Sequence, residues 1–388
     1  MPTLTPMRIA YVTETYPPEL NGVSLTVERT VRFLRARGHV VELIRPRQPG
    51  EEALDAADEL RTAGCAIPMY REMRFGLSRV APLVRRFERT RPELVHLATP
   101  GPLAWAALAA ARSLGIVVTS DFRTNFHQYS RYYGMAWLAP LALGLLRRFH
   151  NLTRCTFVPT RAAMRELADA EFHNLTIVGR GVDSDRFSPA ARSESLRAEW
   201  GGGNGPVLLT VGRLAAEKNV ELALRAFERG REQQPQMRMI VVGDGPARAR
   251  LEAAHPQARF VGVRRGADLA AHYASADAFL FPSLSDTFGN VVMEALASGL
   301  PVVAFDTAAA AEHVVDDASG RIVPPGDEAA FIAAAAGLTV DDCARMRPAA
   351  LAAARRATWP EALARFEARL EATVHAPETQ AATVALVA

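Results

Sequence analysis

Apolar and polar positions fall into short blocks that predict strands and helices in turn. Met7–Thr13 is a β-rich run, followed by a loop holding Pro17, Pro18 and Gly22. Ser24 reads as the N-cap of a helix with Val27, Val31 and Leu34 on one face, ended by Gly38. Val40–Ile44 is the next predicted strand. Leu94–Leu97 and Ile116–Ser120 read as buried strands, and the Ala-rich Leu103–Ser113 between them as a helix. The alternation implies a parallel sheet covered on both faces.

Around Phe187–Pro206 the rhythm breaks. Ser188-Pro189 and Gly201-Gly-Gly-Asn-Gly-Pro206 are turn and linker chemistry. Beyond them it restarts: strands at Val207–Val211, Met239–Val242, Arg259–Val261, Ala278–Phe281 and Pro301–Ala304, helices at Val220–Gln233, Arg248–Ala254, Leu269–Ala274 and Asn290–Ala297. The pattern predicts an α/β protein of two doubly wound domains. The first spans 1–187, 188–205 is a linker, and 206–360 is the second domain. A helix at 361–375 crosses back to the first domain, and 376–388 is a frayed tail. Two such domains facing each other create a cleft at the carboxyl ends of their strands, where open α/β sheets bind ligands.

With 388 residues, 49% apolar and 22% charged, the chain is neither wholly disordered nor collagen-like. Its opening lacks the basic start and apolar run of a signal peptide, and Met135–Leu146 is too short for the roughly 20 residues of a spanning helix. A cytoplasmic protein is expected. Cys65, Cys155 and Cys343 stand far apart, in no zinc or disulfide pattern. Residues 1–185 carry 24 arginines against 18 acids; the remainder is net acidic. That modest basic excess suits anionic ligands or an anionic membrane surface, and is too diffuse for nucleic acid. Arg71, Arg74, Arg79, Arg85, Arg86, Arg89 and Arg91, together with the apolar Met135–Leu146, point to a peripheral contact with the inner face of the cytoplasmic membrane; a core helix with solvated flanks is the alternative.

Of the 45 basic residues one alone, Lys218, is a lysine. Several familiar motifs fail. Gly243-Asp-Gly245 starts a dinucleotide fingerprint, but Arg248 stands where its third glycine belongs. No Gly-Lys pair exists for a P-loop, and Asp183-Ser-Asp185 is a poor metal site at the domain junction. A different constellation remains. Gly212-Arg213 and Glu217-Lys218 sit between a strand and a helix, where two cations can meet a diphosphate; solvated surface charge is the alternative. After the strand ending at Phe281, Asp286 and Gly289 precede the helix from Asn290. Gly289 lets the open amides of that helix start approach a phosphate. Glu294 lies about 6 Å further along the axis, at roughly 1.5 Å per residue, the reach from a diphosphate to a ribose. Asp286 can accept hydroxyls of a sugar on the other side, although acids near a helix start also serve as caps. Gly22, in the loop after the first strand, can offer its N–H to a phosphate or form an ordinary turn.

Together the Gly22-Val23 loop, Gly179-Arg180-Gly181-Val182-Asp183, Val211-Gly212-Arg213 with Glu217-Lys218, Val242-Gly243-Asp244-Gly245-Pro246, and Asp286 to Glu294 with Phe288-Gly289 resemble the retaining glycosyltransferases of family 4, which have the GT-B fold. Asp121–Tyr133 looks most like the bacterial subgroup of GDP-mannose-dependent α-mannosyltransferases and sulfoquinovosyl transferases. The resemblance implies hexosyl transfer, mannosyl from GDP-mannose, to a lipid or glycan acceptor. It implies retention and no divalent metal or other cofactor beyond the nucleotide-sugar co-substrate. Arg213 and Lys218 would hold the diphosphate with Gly212, Gly22 and Val23. Thr287, Phe288, Gly289, Asn290 and Val291 would line the donor, Glu294 would bind the ribose, Val263 would sit at the base and Asp286 at the hexose. Asp286 is one methylene shorter than the family's usual Glu. Arg123 stands where relatives often carry His, and His127 would take part of that role. A UDP-sugar donor is one alternative, a GT-B nucleotide-sugar epimerase a second, and a two-lobed sugar-binding protein a third.

Overall fold

The computed structural model describes residues 5–19, 22–67, 70–123, 139–283 and 286–376. The stretches of the sequence reading that contain His127, Arg131 and the tail from 377 lie outside them. Contacts divide the chain into two units. One holds residues up to 123, 139–178 and the chain from Leu363; the other holds Gly179–Ala362.

The first unit carries a nine-stranded sheet: β1 Arg8–Val12, β2 Val40–Pro46, β3 Leu54–Asp55, β4 Glu59–Ile67, β5 Tyr70–Leu77, β6 Leu94–Leu97, β7 Val117–Asp121, β8 Cys155–Val158 and β9 Leu175–Ile177. Its order is β3-β4-β2-β1-β6-β7-β8-β9, with β5 on β4. The pairs from β4 to β9 are parallel, whereas β3 and β5 run antiparallel to β4. The helix Gly22–Ala36 buries Val27, Val31 and Leu34. It starts two residues before the expected cap, and Ser24 donates its hydroxyl to the Glu19 carbonyl at 2.5 Å, inside the first turn. The helix Pro102–Ser113 packs closely because alanines, among them Ala104, Ala107 and Ala111, face the core.

The β3–β5 segment went unread in the sequence. Its strands mix arginine and glutamate with apolar residues, and β4 is held by its neighbours rather than by a clean period. Arg86 is buried beneath it, bonded to Glu42, Asp55 and the Ala56 carbonyl. Arg89 pairs with Asp55 at 2.9 Å and Arg74 donates to the Gly64 carbonyl at 2.7 Å. Arg86 is thereby committed to the fold, whereas Arg89 makes its pair from an exposed side chain and stays part of the basic surface read from the sequence; the Arg71 side chain lies outside the described set.

The second unit holds six parallel strands, β10 Val207–Val211, β11 Arg238–Val242, β12 Arg259–Gly262, β13 Ala278–Phe281, β14 Val302–Phe305 and β15 Gly320–Val323, ordered β12-β11-β10-β13-β14-β15. Alternate residues feed two cores: Val207 and Leu209 on one face, Leu208 on the other. The chain steps outward from β10 to β12 and then returns to β13, so the direction of winding reverses between β10 and β13. Before this sheet, Glu194–Glu199 is helical, capped by Ser193. This corrects the reading of 188–205 as linker throughout.

The helix Trp359–His375 returns the chain to the first unit, where Phe366 and Leu370 join the core of Tyr11 and Phe157. Glu367 is buried there, accepting from Arg37 Nε at 3.1 Å and bonded to His39 Nε2 at 2.9 Å, while His39 Nδ1 accepts the Met7 amide. Glu367→Ala leaves a buried imidazole and a guanidinium without their acceptor. It should cost about 2 kcal/mol, read as an earlier first transition in urea denaturation; an unchanged midpoint would show that the helix is held by apolar packing alone.

Candidate active site

In the second unit the winding reversal brings together the loops leaving β10 and β13, the place where open α/β sheets bind ligands. The β10 exit runs through Gly212 and Arg213 to a 3-10 turn at Ala216–Lys218. Asn219 takes a left-handed conformation at φ 51° before the helix Val220–Gln233. The β11 exit packs directly on it: a Cβ on Gly243 would sit 1.9 Å from the Gly212 carbonyl oxygen. The Leu214 amide donates to the Asp244 carbonyl at 2.9 Å. The Gly243-Asp-Gly245 run that failed as a dinucleotide fingerprint therefore supports the Arg213 loop through backbone packing.

The β13 exit passes Asp286 and Thr287 to Gly289, whose φ of 83° and close approach to the Phe281 ring leave no room for a side chain. The helix Asn290–Ala297 starts there without an acidic residue in its first turn, so its amide dipoles are not offset locally. Lys218 Nζ and Asp286 Oδ1 are 2.6 Å apart, and Ser283 Oγ donates to the Glu217 carbonyl at 3.3 Å. Asp286 Oδ2 is buried without a hydrogen-bond partner among the described residues. The sole lysine and the candidate sugar carboxylate are thus joined to each other, and a diphosphate reaching Lys218 must compete with Asp286.

Glu294, one turn into the helix, accepts the Tyr273 hydroxyl at 2.9 Å. Burial pushes its carboxyl up to about 7, while Tyr273 and the charge of Arg186 pull the other way. Tyr273 is the residue that sequence reasoning missed here: it sits on a core-facing helix, and only the fold aims its hydroxyl. Thr287 and Phe288 are buried, Asn290 and Val291 half-buried, and Arg213 and Val263 exposed. Glycine occupies Gly262 at φ 74°, beside Val263.

In the first unit, Gly22 opens its helix exposed and Val23 is half-buried. Arg123 follows β7 and gives Nε to Asp121 Oδ2 at 2.6 Å; His96 Nε2 meets the same oxygen at 3.1 Å, and His96 Nδ1 meets Thr119 Oγ1 at 3.0 Å. Burial would raise the Asp121 carboxyl, but the Arg123 guanidinium and His96 hold it down at about 2. Arg123 is therefore locked by a buried carboxylate, and His127 lies outside the described residues. A second missed residue, the carboxylate Glu14, follows β1. It accepts the amides of Gly76, Leu103 and Ala104, the last two at 2.9 and 3.4 Å, and burial pushes it up to about 7. Asp183 Oδ1 accepts the Arg186 amide at 3.3 Å, and no cluster of metal ligands occurs among the described residues.

Two successive domains, each built on a largely parallel sheet, have the architecture of the GT-B fold. Residues 20–186 match the pattern described as Glycosyltransferase Family 4, and residues 205–341 that described as Glycosyl transferases group 1. The chain is 34% identical over 375 residues to a GDP-mannose-dependent alpha-mannosyltransferase of Mycobacterium tuberculosis, covering 93% of this chain and 97% of that one. It is 28% identical to a GDP-mannose-dependent alpha-(1-6)-phosphatidylinositol monomannoside mannosyltransferase of Mycolicibacterium smegmatis, covering 85% and 88%. Sucrose-phosphate synthase of Thermosynechococcus elongatus superposes with a TM-score of 0.74 at 18% identity, covering 94% of this chain and 98% of that one. The protein belongs to glycosyltransferase family 4 and is a glycosyltransferase.

Because the Glu294 carboxyl titrates above its ordinary 4.5, its contribution to stability is complete below that value and is lost as pH rises through about 7. Over the same range the ionised form becomes available to accept ribose hydroxyls, so nucleoside diphosphate affinity should rise. Calorimetric titration from about pH 5.5 to about pH 8 should show that rise in the parent and a flatter profile in Glu294→Gln. Identical slopes would remove Glu294 from the ribose site.

Proposed function

We propose that the enzyme transfers a mannosyl group from GDP-mannose to a lipid or glycan acceptor with retention at the anomeric carbon. The observation that carries this is the meeting of Lys218, Asp286 and the open start of the helix Asn290–Ala297 at one winding reversal, with Glu294 one turn beyond. The relatives named for GDP-mannose supply the donor's identity. Arg213, Lys218 and the helix amides take up charge that develops on the leaving diphosphate, a role a divalent ion plays elsewhere. The acceptor hydroxyl oxygen bonds to the anomeric carbon on the face the diphosphate leaves, the sugar–phosphate C–O bond breaks, and the hydroxyl proton passes to a diphosphate oxygen. Arg123, being always charged, takes no part in proton transfer.

A lipid-bearing acceptor is supported by two surfaces of the first unit. The helix Ala139–Asn151 exposes Leu141 and Leu145, 61% and 50% accessible, in line with exposed Arg148. Phe75, Leu77 and Val80 are exposed beside Arg79 and Arg85. No helix of the described residues is long and apolar enough to cross a membrane, so the contact we propose is peripheral, on the inner face of the cytoplasmic membrane.

Lys218→Ala should lower kcat/KM about a hundredfold or more, and GDP-mannose should raise the melting temperature more than UDP-glucose does. Wild-type turnover in Lys218→Ala removes the site reading, and a larger shift with the UDP-sugar reassigns the donor. In sedimentation with phosphatidylglycerol vesicles, Leu141→Asp/Leu145→Asp should bind several-fold less than the parent. Equal binding excludes this helix as the docking face.

A further inference from the structure

An ammonium suited to a diphosphate is held here by a carboxylate. Lys218 Nζ and Asp286 Oδ1 stand 2.6 Å apart, with 20% and 17% of the two side chains accessible, so water screens the pair weakly. The other carboxylate oxygen, Asp286 Oδ2, is buried with no hydrogen-bond partner among the described residues, an acceptor left open to a ligand hydroxyl. The two loops do not depend on the ion pair to stay together. Ser283 Oγ donates to the Glu217 carbonyl at 3.3 Å, the Lys218 amide closes its 3-10 turn on the Ala215 carbonyl at 3.0 Å, and Asn219 sets the exit of that turn at φ 51°. Gly289 keeps the helix start against the acid, since a Cβ there would lie 3.8 Å from Asp286 Cβ. Asp286 is thus a negative charge fixed beside the sole lysine and the open helix amides.

We propose that Asp286 discriminates between the nucleotide sugar and the spent nucleoside diphosphate, accepting hexose hydroxyls from the first and repelling the terminal phosphate of the second. The inference rests on the donor site proposed above and gives its acid a second task. A phosphate oxygen in contact with Lys218 Nζ must lie close to Asp286 Oδ1, because the ammonium already sits 2.6 Å from that oxygen. In GDP-mannose the second phosphate carries a single negative charge and is followed by the sugar, whose hydroxyls can donate to the carboxylate. Free GDP ends at that phosphate, which above about pH 6 carries a second negative charge. Like charges side by side in a partly dry site oppose each other. Transfer of the sugar therefore removes the hydroxyl donors and adds negative charge together. The carboxylate that receives the donor then favours release of the product.

The test measures equilibrium affinity for GDP and for GDP-mannose at about pH 8, without acceptor. Asp286→Asn keeps the size of the side chain and removes its charge. GDP should bind this variant about tenfold tighter than it binds the parent, and GDP-mannose no tighter, so the preference for the sugar nucleotide collapses. Asp286→Glu keeps the charge and should hold GDP within about threefold of its parent affinity. Other contacts of Lys218 are common to both ligands, and the ratio is read on one preparation, so neither they nor a loss of folded protein imitates the effect. GDP that binds Asp286→Asn as it binds the parent, or more weakly, shows the acid positioning the lysine and overturns the inference. Equal tightening of both ligands overturns it as well. Parent protein that binds neither ligand, or Lys218→Ala that binds both as the parent does, overturns the donor-site reading itself, and this inference with it.

Discussion

The ion pair between Lys218 and Asp286 joins two loops that are 68 residues apart in the chain, and the rest of the candidate site is arranged around it. It exists because the six-stranded sheet reverses its winding between β10 and β13, so that the exits of those strands are neighbours. A parallel sheet is buried on both faces and leaves its chemistry to the loops at strand ends. Here those loops meet a helix start with no acid in its first turn, and a carboxylate one turn inside that burial holds ready to change protonation near neutral pH.

The same economy recurs in the first unit, where charged groups appear at the carboxyl ends of β1 and β7. Glu14 closes the entry to the helix Pro102–Ser113, and Asp121 is bonded to both His96 and Arg123. These carboxylates are satisfied by backbone amides or by cations, as buried charges must be. Arg123 is consequently a fixed cation whose direction is set by Asp121. Arginine is always charged, so this position offers no general base.

Legibility differed between regions for physical reasons. Strands β10 to β14 and the four helices from Val220 to Ala297 were readable because most of those strands are short apolar runs and the helices turn apolar residues to the core, whereas β15 and the Ala-rich helices between it and Arg355 went unread. The β3–β5 segment was not, since its strands interleave arginines with apolar residues and β4 and β5 are specified by each other. Ser24 looked like a cap and proved to be inside its helix, because the hydroxyl found the Glu19 carbonyl instead. The cluster of arginines in the first half suggested a basic surface, yet Arg86 and Arg89 answer carboxylates on other elements that linear spacing does not reveal.

By itself the sequence determined the class: the alternation of strand and helix, the glycines at strand exits, and the lone ammonium among 44 arginines are local properties of the chain. Only the tertiary structure decided which charges face one another. It paired Lys218 with Asp286, gave Glu294 the Tyr273 hydroxyl, locked Arg123 on Asp121 and laid Arg180 across Phe288. Apart from Arg123 and Asp121, which lie two residues apart, each of those contacts joins elements brought side by side by strand order or close backbone packing. The electrostatic energy of a group depends on its neighbours in space, which residue types along a line do not specify.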